Sequence, residues 1–321
     1  MPSLFSAFKS TCSFFQEAWF LGSPTWTADN IPDLSGQVFI VTGGNSGLGK
    51  DTVRALLEHD ARVYIAARDE KKSMTVIDEM FSETGRKAQF LKLDLSSLSS
   101  IEAAAAQFLR AETRLDVLFN NAGTLGTPID VVANGYDMVV FTNLLAKKRL
   151  DGTARIINVT SSAHHFAGSL KLETFKDGPE RRQVEDVNFF YCQSKFALIL
   201  MSNELTRRYR EDGVISIAVN PATYGRSNGS VPIYREFMIS PGGIRLAEPY
   251  YSVAQNYCLF WYPNAWGCLT QLWAGVAPEA VHAGGKYAVP WSRIGQPHEG
   301  TNDVGVAVKL WIWLEDQVKD L

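Results

Sequence analysis

A doubly wound α/β fold, with a parallel sheet of about seven strands and helices on both of its faces, is what this sequence predicts. Three observations predict it. From Val38 onward, short apolar runs alternate with helical patterns, which is the mark of strands joined by crossover helices rather than by hairpins. The first run, Gln37-Val-Phe-Ile-Val-Thr42, empties directly into three spaced glycines, Gly43, Gly47 and Gly49, and then into an amphipathic helix. A chain of 321 residues, 46% hydrophobic and 20% charged, is also long enough to bury a large core as one domain.

The elements follow in order. Strand one is Val38–Thr42, and its helix runs from Gly47 to His59. Strand two, Arg62–Ala67, precedes a charged helix from Glu70 to Phe81, and strand three, Gln89–Leu93, ends in Asp94. The run Ser96-Ser-Leu-Ser-Ser100 caps an alanine-rich helix that reaches Glu112. Leu115–Phe119 is strand four, closed by Asn120-Asn-Ala-Gly123. A helix from Gly135 to Lys148 leads through Asp151-Gly152 into strand five, Ala154–Thr160. A long helix, Val187–Glu211, stops at Asp212-Gly213, and Ile215–Val219 is strand six. The pattern weakens after Pro221, recovers as a helix at Trp266–Gly275, and ends with a strand at Lys286–Val289 and a closing helix at Val304–Val318. Residues 1–31 read as an N-terminal extension and 32–321 as the domain, with a substrate-loop region at 222–265.

Composition excludes several classes. A net charge of -3 and no zinc-finger or RNA-binding spacing argue against a nucleic-acid partner, and no metal site is expected. The four cysteines, Cys12, Cys192, Cys258 and Cys268, lack any C-x-x-C pair and fit a reducing, cytoplasmic compartment. The stretch Pro2–Gly22 is rich in Phe and Trp but interrupted by Lys9, Gln16 and Glu17, so it is no spanning segment. Its first reading is a helix capping the domain; the second is a segment lying on a membrane surface.

The chemistry sits at the strand ends. Gly43, Gly47 and Gly49 let the chain turn sharply, approach a pyrophosphate and pack the next helix closely, while that helix offers free N–H groups and partial positive charge. The cradle therefore comprises Gly43, Asn45, Ser46, Gly47, Leu48 and Gly49. Tyr191-Cys-Gln-Ser-Lys195 puts a phenol and an ammonium four residues apart, on one helix face. A phenol titrates near 10, about three units too high for work at neutral pH, and a neighbouring cation favours the phenolate. Such a tyrosine can exchange protons with a substrate oxygen. His164 and His165 follow Ser161 closely, but with no acidic partner at a telling spacing they read as loop residues, and Cys192 reads as packing.

The ordered set of glycine spacing, Asn120-Asn-Ala-Gly123, a serine after strand five and Tyr-x-x-x-Lys resembles the short-chain dehydrogenase/reductase family over Pro32–Arg226. The resemblance implies a Rossmann fold and direct hydride transfer at a nicotinamide, interconverting an alcohol and its ketone or aldehyde. It implies Tyr191 as general acid or base, Lys195 as ribose ligand and modulator of the tyrosine, Ser161 as hydrogen-bond partner of the reacting oxygen, and Asn143 as holder of a relay water. Ser161 is preferred to Ser162 because the family's serine is second in a run matched by Val159-Thr-Ser-Ser-Ala163. Asp94 and Leu95 would meet the adenine, and Asn121, Ala122, Gly123, Pro221 and Thr223 would complete the cofactor set. An acidic residue ending strand two would select NAD; Ala67 stands there and Arg68 follows, which favours NADP(H) because a guanidinium pairs the extra phosphate bidentately. The alternative is a surface arginine paired with Asp69 or Glu70.

Two departures stand out. Asn143 and Ser161 are only 18 residues apart, shorter than the family's usual connection. The Gly135–Lys148 helix would still span about 21 Å, enough to recross a strand of about 20 Å. What it loses is a helical half that relatives use against a second subunit, so homo-oligomerisation is left open. After strand six, Asn220-Pro-Ala-Thr-Tyr-Gly-Arg226 replaces the family's Pro-Gly and its threonine, with Thr223 as substitute. The substrate wall is expected from the residues between Ser161 and Tyr191 and from the stretch after Pro221, where Tyr250-Tyr251, Tyr257 and Phe260-Trp-Tyr262 suit a small lipophilic substrate or form a satellite core. Segments from Tyr262 through Gly295 look similar to retinol-dehydrogenase-like members of filamentous fungi, which implies a place in secondary metabolism. The competing class is a non-catalytic NADP(H)-binding sensor or scaffold whose site the two departures impair.

Overall fold

The computed structural model describes residues 10, 12–14, 16–17, 21–123, 154–184, 187–221 and 266–319. The predicted Gly135–Lys148 helix, Asn143, Thr223 and the aromatic stretch after Pro221 lie outside them. The described strands form one sheet: β1 (Val38–Thr42), β2 (Arg62–Ala67), β3 (Gln89–Lys92), β4 (Val117–Asn120), β5 (Ala154–Val159), β6 (Val214–Val219), β7 (Tyr287–Val289) and β8 (Arg293–Ile294). Their order is β3-β2-β1-β4-β5-β6-β7-β8, parallel throughout except for β8. The sequence accounts for seven of these eight. It misses β8, a two-residue antiparallel strand too short to show any periodicity.

Because both faces of a parallel sheet are covered, its strands are apolar at nearly every position rather than at every other one. The side chains still sort by parity. Phe39 and Val41, Val63 and Ile65, and Ile157 and Val159 feed one core layer; Val38 and Ile40, Tyr64 and Ala66, and Ala154 and Ile156 feed the other. The first layer packs against α1 (Gly47–Glu58), α2 (Glu70–Thr84) and α6 (Leu269–Val276). The second packs against α3 (Leu98–Ala111), α5 (Val187–Tyr209) and α7 (Val304–Val318). The short helix Pro179–Arg182 is α4.

Local chemistry sets the helix ends. Asp69, Ser97 and Asp303 cap α2, α3 and α7, each accepting a backbone N–H from the first turn. α2 outruns its predicted end at Phe81 because Met80 still faces the core and the first residue able to stop it is Gly85, left-handed at φ 71°. α5 is buried nearly all round, held between the sheet and α7, which is why it lacks a clear polar stripe. Arg155 fixes α6 to the sheet by donating to the Ala274 and Ala277 carbonyls at 3.2 and 2.8 Å. No helix among the described residues is long and apolar enough to cross a membrane.

The first layer is tightest where α6 crosses β4. A β-carbon on Gly275 would land on the ring of Phe119, which is fully buried and stacked on Phe39 at 6.5 Å. Gly275→Ala is therefore expected to lower the unfolding free energy by about 1–3 kcal/mol in urea titrations. Adding Phe119→Leu, which removes the ring, should return part of that loss.

Candidate active site

All the sequence-predicted site residues that the structure describes lie at the C-terminal ends of the strands or on the helices that follow them. The centre is the junction of β1 and β4, where the strand order reverses. The Thr42 hydroxyl joins the two strands there. It donates to the Phe119 carbonyl at 3.2 Å and accepts the Asn121 and Ala122 amides at 3.0 and 2.9 Å. The Asn121 side chain returns a bond to the Thr42 carbonyl at 2.9 Å. Asn121, Ala122 and Gly123 thus form a fixed wall beside the glycine loop.

Three positions of that loop favour glycine. Gly43 and Gly47 have φ 67° and 52°, and a β-carbon on Gly49 would stand 2.5 Å from the Gly43 carbonyl oxygen and 2.6 Å from Asn121 Nδ2. Asn45 is buried and donates to the Ser73 hydroxyl of α2 at 3.0 Å, while Ser46 and Gly47 are exposed at the mouth and Leu48 packs on the first core layer. Ser46 stands at the N-cap of α1 in an extended conformation with no side-chain capping bond, which leaves the first-turn amides to a ligand. A close-packed, side-chain-free loop feeding a helix N-terminus fits a dinucleotide pyrophosphate.

The residues expected to meet the adenosine half lie beside it. Asp94 accepts the Ser96 hydroxyl and amide at 2.6 and 2.9 Å, and those bonds, with help from Arg68 and Lys92, hold its carboxyl below the ordinary range. Arg68 is exposed and makes no salt bridge among the described residues, so the alternative pairing with Asp69 or Glu70 is not formed. Lys92 donates to the Arg68 carbonyl at 2.6 Å and so sets the backbone that carries the guanidinium, a contact the sequence reading missed.

On the other side of the crevice, the loop after β5 and the middle of α5 meet. Ser161 is buried and is the N-cap of a 3-10 helix, Ser162–Phe166, its hydroxyl accepting the Ala163 amide at 3.2 Å. Tyr191 is half-buried, and Lys195 Nζ lies 5.5 Å from its ring centroid. Lys195 is held at both ends by β5: Nζ donates to the Val159 carbonyl at 2.9 Å, and its own carbonyl accepts the Thr160 hydroxyl at 2.7 Å. A β-carbon on Gly123 would come within 3.6 Å of that ammonium, so the β4 wall and the α5 cation face one another. Gln193 anchors the substrate-side segment, accepting the Lys171 amide at 2.6 Å and donating to Thr174 at 3.0 Å.

His164 and His165 are not loop residues open to solvent. Both are buried on the 3-10 helix, and His165 has the acidic partner the sequence did not reveal, Glu17, at 3.0 Å. His164 receives the His298 amide on Nε2 at 3.1 Å, so its Nδ1–H donates to the Ser161 carbonyl at 2.7 Å. Burial, with His165 beside it, holds its pKa well below the ordinary value, so the ring is neutral. Cys192 is buried in the second core layer, as a packing role requires, and Pro221 ends the described part of the loop after β6. No cluster of His, Cys, Asp or Glu among the described residues has the makeup to hold a metal ion.

Comparison with known proteins places this geometry. The family model described as short chain dehydrogenase matches residues 37–170. A short-chain dehydrogenase/reductase of Armillaria gallica is 40% identical over 312 residues, covering 92% of this chain and 95% of its own. Retinol dehydrogenase 11 of Homo sapiens is 38% identical over 201 residues, 59% of this chain and 62% of its own. Among solved structures, an uncharacterised protein of Mycobacterium paratuberculosis superposes with a TM-score of 0.66 at 26% identity, over 92% of this chain and 98% of its own.

Burial lowers the Lys195 pKa from 10.5 to about 8. Between those values the unfolded chain holds the proton and the folded one does not, so stability rises with pH across that window. The penalty is fully present below about 8 and is gone by the unfolded value. Lys195→Met is expected to be more stable than the parent at pH 7 by roughly 1–3 kcal/mol, with the difference shrinking toward pH 10 in urea titrations without nucleotide.

Proposed function

The chain belongs to the short-chain dehydrogenase/reductase family, an oxidoreductase acting on CH–OH and C=O groups, and from that membership we propose that it is an NADP(H)-linked enzyme of a lipophilic alcohol/carbonyl pair. The observation that carries the reading is the buried Lys195 ammonium facing Tyr191 on one side and Gly123 on the other.

Bound NADP(H) supplies or accepts a hydride at its nicotinamide. The protein does the rest. Gly43, Gly47 and Gly49 with the α1 N-terminus hold the pyrophosphate, Asn121 to Gly123 line the middle of the cofactor, and Lys195 binds ribose hydroxyls. Tyr191 gives its phenolic proton to the carbonyl oxygen during reduction and takes it back during oxidation. The Lys195 charge, acting in a poorly solvated pocket, favours the phenolate and brings the tyrosine closer to neutral operation. Ser161 donates to the same substrate oxygen and fixes it opposite Tyr191. Asn143 and Thr223 keep their roles as relay and carboxamide ligands in this scheme.

Cofactor choice rests on Arg68, exposed and without a salt bridge among the described residues at the end of β2, where a 2′-phosphate would arrive. A lipophilic substrate is supported by the retinol dehydrogenase among the relatives and by the aromatic residues after Pro221. The likeness to fungal members supports a place in secondary metabolism.

Tyr191→Phe is expected to lower turnover of NADPH with all-trans-retinal or a panel of lipophilic ketones by about 10²–10⁴-fold while fluorescence titration shows NADPH still bound. Turnover equal to the parent would remove Tyr191 from the mechanism; NADPH binding with no turnover by either protein across the panel would favour a sensor or scaffold. Arg68→Glu should weaken NADPH by at least about tenfold, a cost of about 1.4 kcal/mol, and leave NADH unchanged or tighter. A parent protein that prefers NADH would refute the Arg68 argument.

A further inference from the structure

Glu17 is the one described carboxylate of the N-terminal segment that is buried in the domain, with 7% of its surface exposed. Three donors from three neighbouring strand ends converge on it. His165, four residues after Ser161, meets Oε1 through Nε2 at 3.0 Å. Asn220, the residue before Pro221, donates its amide to Oε2 at 3.2 Å, and the Tyr287 hydroxyl of β7 donates to the same oxygen. All three donor residues are themselves buried, at 4%, 3% and 2% exposure. The segment is also pinned on both sides of Glu17: Phe14 packs on Phe166 at 5.2 Å, and the Gly22 carbonyl accepts the Trp291 indole N–H at 3.0 Å.

The convergence has a direction. The His165 ring lies against that of His164, tilted by 37° with centroids 4.0 Å apart, and His164 in turn donates to the Ser161 carbonyl and accepts from His298, so the turn that carries Ser161 is held by one ring contact and two hydrogen bonds. Asn220 stands at the end of β6, where the chain leaves the sheet through Pro221. Burying a carboxylate is costly, and an apolar side chain would cap an apolar surface as well. What a carboxylate adds is one acceptor group that ties the turn after β5 to the end of β6.

We propose that Glu17 is a positioning residue of the active site, which sets Ser161 through His165 and the end of β6, up to Pro221, through Asn220. The proposal rests on the Ser161, Tyr191 and Lys195 reading above. It makes the N-terminal segment part of the catalytic frame.

The test compares Glu17→Ala and Glu17→Gln, singly and combined with Ser161→Ala, in the full chain with NADPH and all-trans-retinal or the ketone panel. Glu17→Ala should lower kcat by about 10–100-fold, the scale of a small misplacement, with KM for NADPH within about twofold of the parent. Glu17→Gln, which keeps one acceptor and the same shape, should lose less. In the Ser161→Ala background the Glu17 effect on kcat should shrink, because one of its two routes, through His165, ends at Ser161. Amide exchange followed by mass spectrometry, which needs no substrate, should rise in residues 158–166 and 216–221 of Glu17→Ala and of Glu17→Gln, and stay unchanged in β1 to β4. An unchanged kcat in Glu17→Ala, fully additive effects, or exchange raised evenly across the sheet would each overturn the proposal. If Ser161→Ala itself turns over at the parent rate, the catalytic reading has failed and the proposal falls with it. If Ser161→Ala is slow and Glu17→Ala is not, the proposal alone has failed. Should Glu17→Ala not fold, the Gln variant carries both measurements.

Discussion

The hydroxyl of Thr42 is the joint on which the site depends. At the ends of β1 and β4 the strand order reverses, and the backbone groups where the two strands run out need partners. One hydroxyl bonds three of them, the Phe119 carbonyl and the Asn121 and Ala122 amides, and thereby holds the β4 wall against the glycine loop. The absence of a side chain at Gly49 then becomes a requirement, since the gap between the two segments is closed to a single methyl group. From this joint the crevice runs across β5 to β6, and every other functional group is placed relative to it.

Two basic groups flank Ser161, and their surroundings sort them. Burial and a neighbouring histidine take the charge off His164, and both its ring nitrogens are engaged, so it is a structural joint with no proton to offer. Burial acts on Lys195 in the same direction, to about 8, and its Val159 bond uses one of three ammonium donors. Lys195 therefore keeps its charge at neutral pH with donors left over. In the proposed reaction the acid–base task is given to Tyr191.

How much of this was legible in the sequence follows from distance along the chain. The glycine loop, the Asn121 wall and the Tyr191/Lys195 pair are each carried on one short segment, so their spacing reports their geometry directly. The helix and strand boundaries shifted by up to three residues, as at α2, which runs on until Gly85 stops it, and at α6, which begins at Leu269 and not at Trp266. Glu17 and His165 stand 148 residues apart, and no local pattern announces that they touch. The N-terminal extension illustrates the same limit: its aromatic composition suits a membrane surface and a domain cap equally, and only the packing of Phe14 on Phe166 shows where one of those rings goes. Asn143 and Thr223 lie outside the described residues, so their roles rest on family likeness.

The smallest strand has a consequence for the molecule as a whole. Parallel sheets assemble from pairings far apart in sequence, so their edges stand open late in folding and invite strands from other chains. Here the outer edge of β7 is taken by β8, which turns back antiparallel, pairs Ile294 with Ala288 and Arg293 with Val289, and then stops. The Arg293 guanidinium folds onto the Pro290 carbonyl at 2.8 Å, and the Gly295 amide closes onto Tyr287 at 2.8 Å. What remains facing outward is a ribbon two residues long and half charged, too short to seed intermolecular β-structure. The element that contributes least to the core is the one that closes this edge of the sheet.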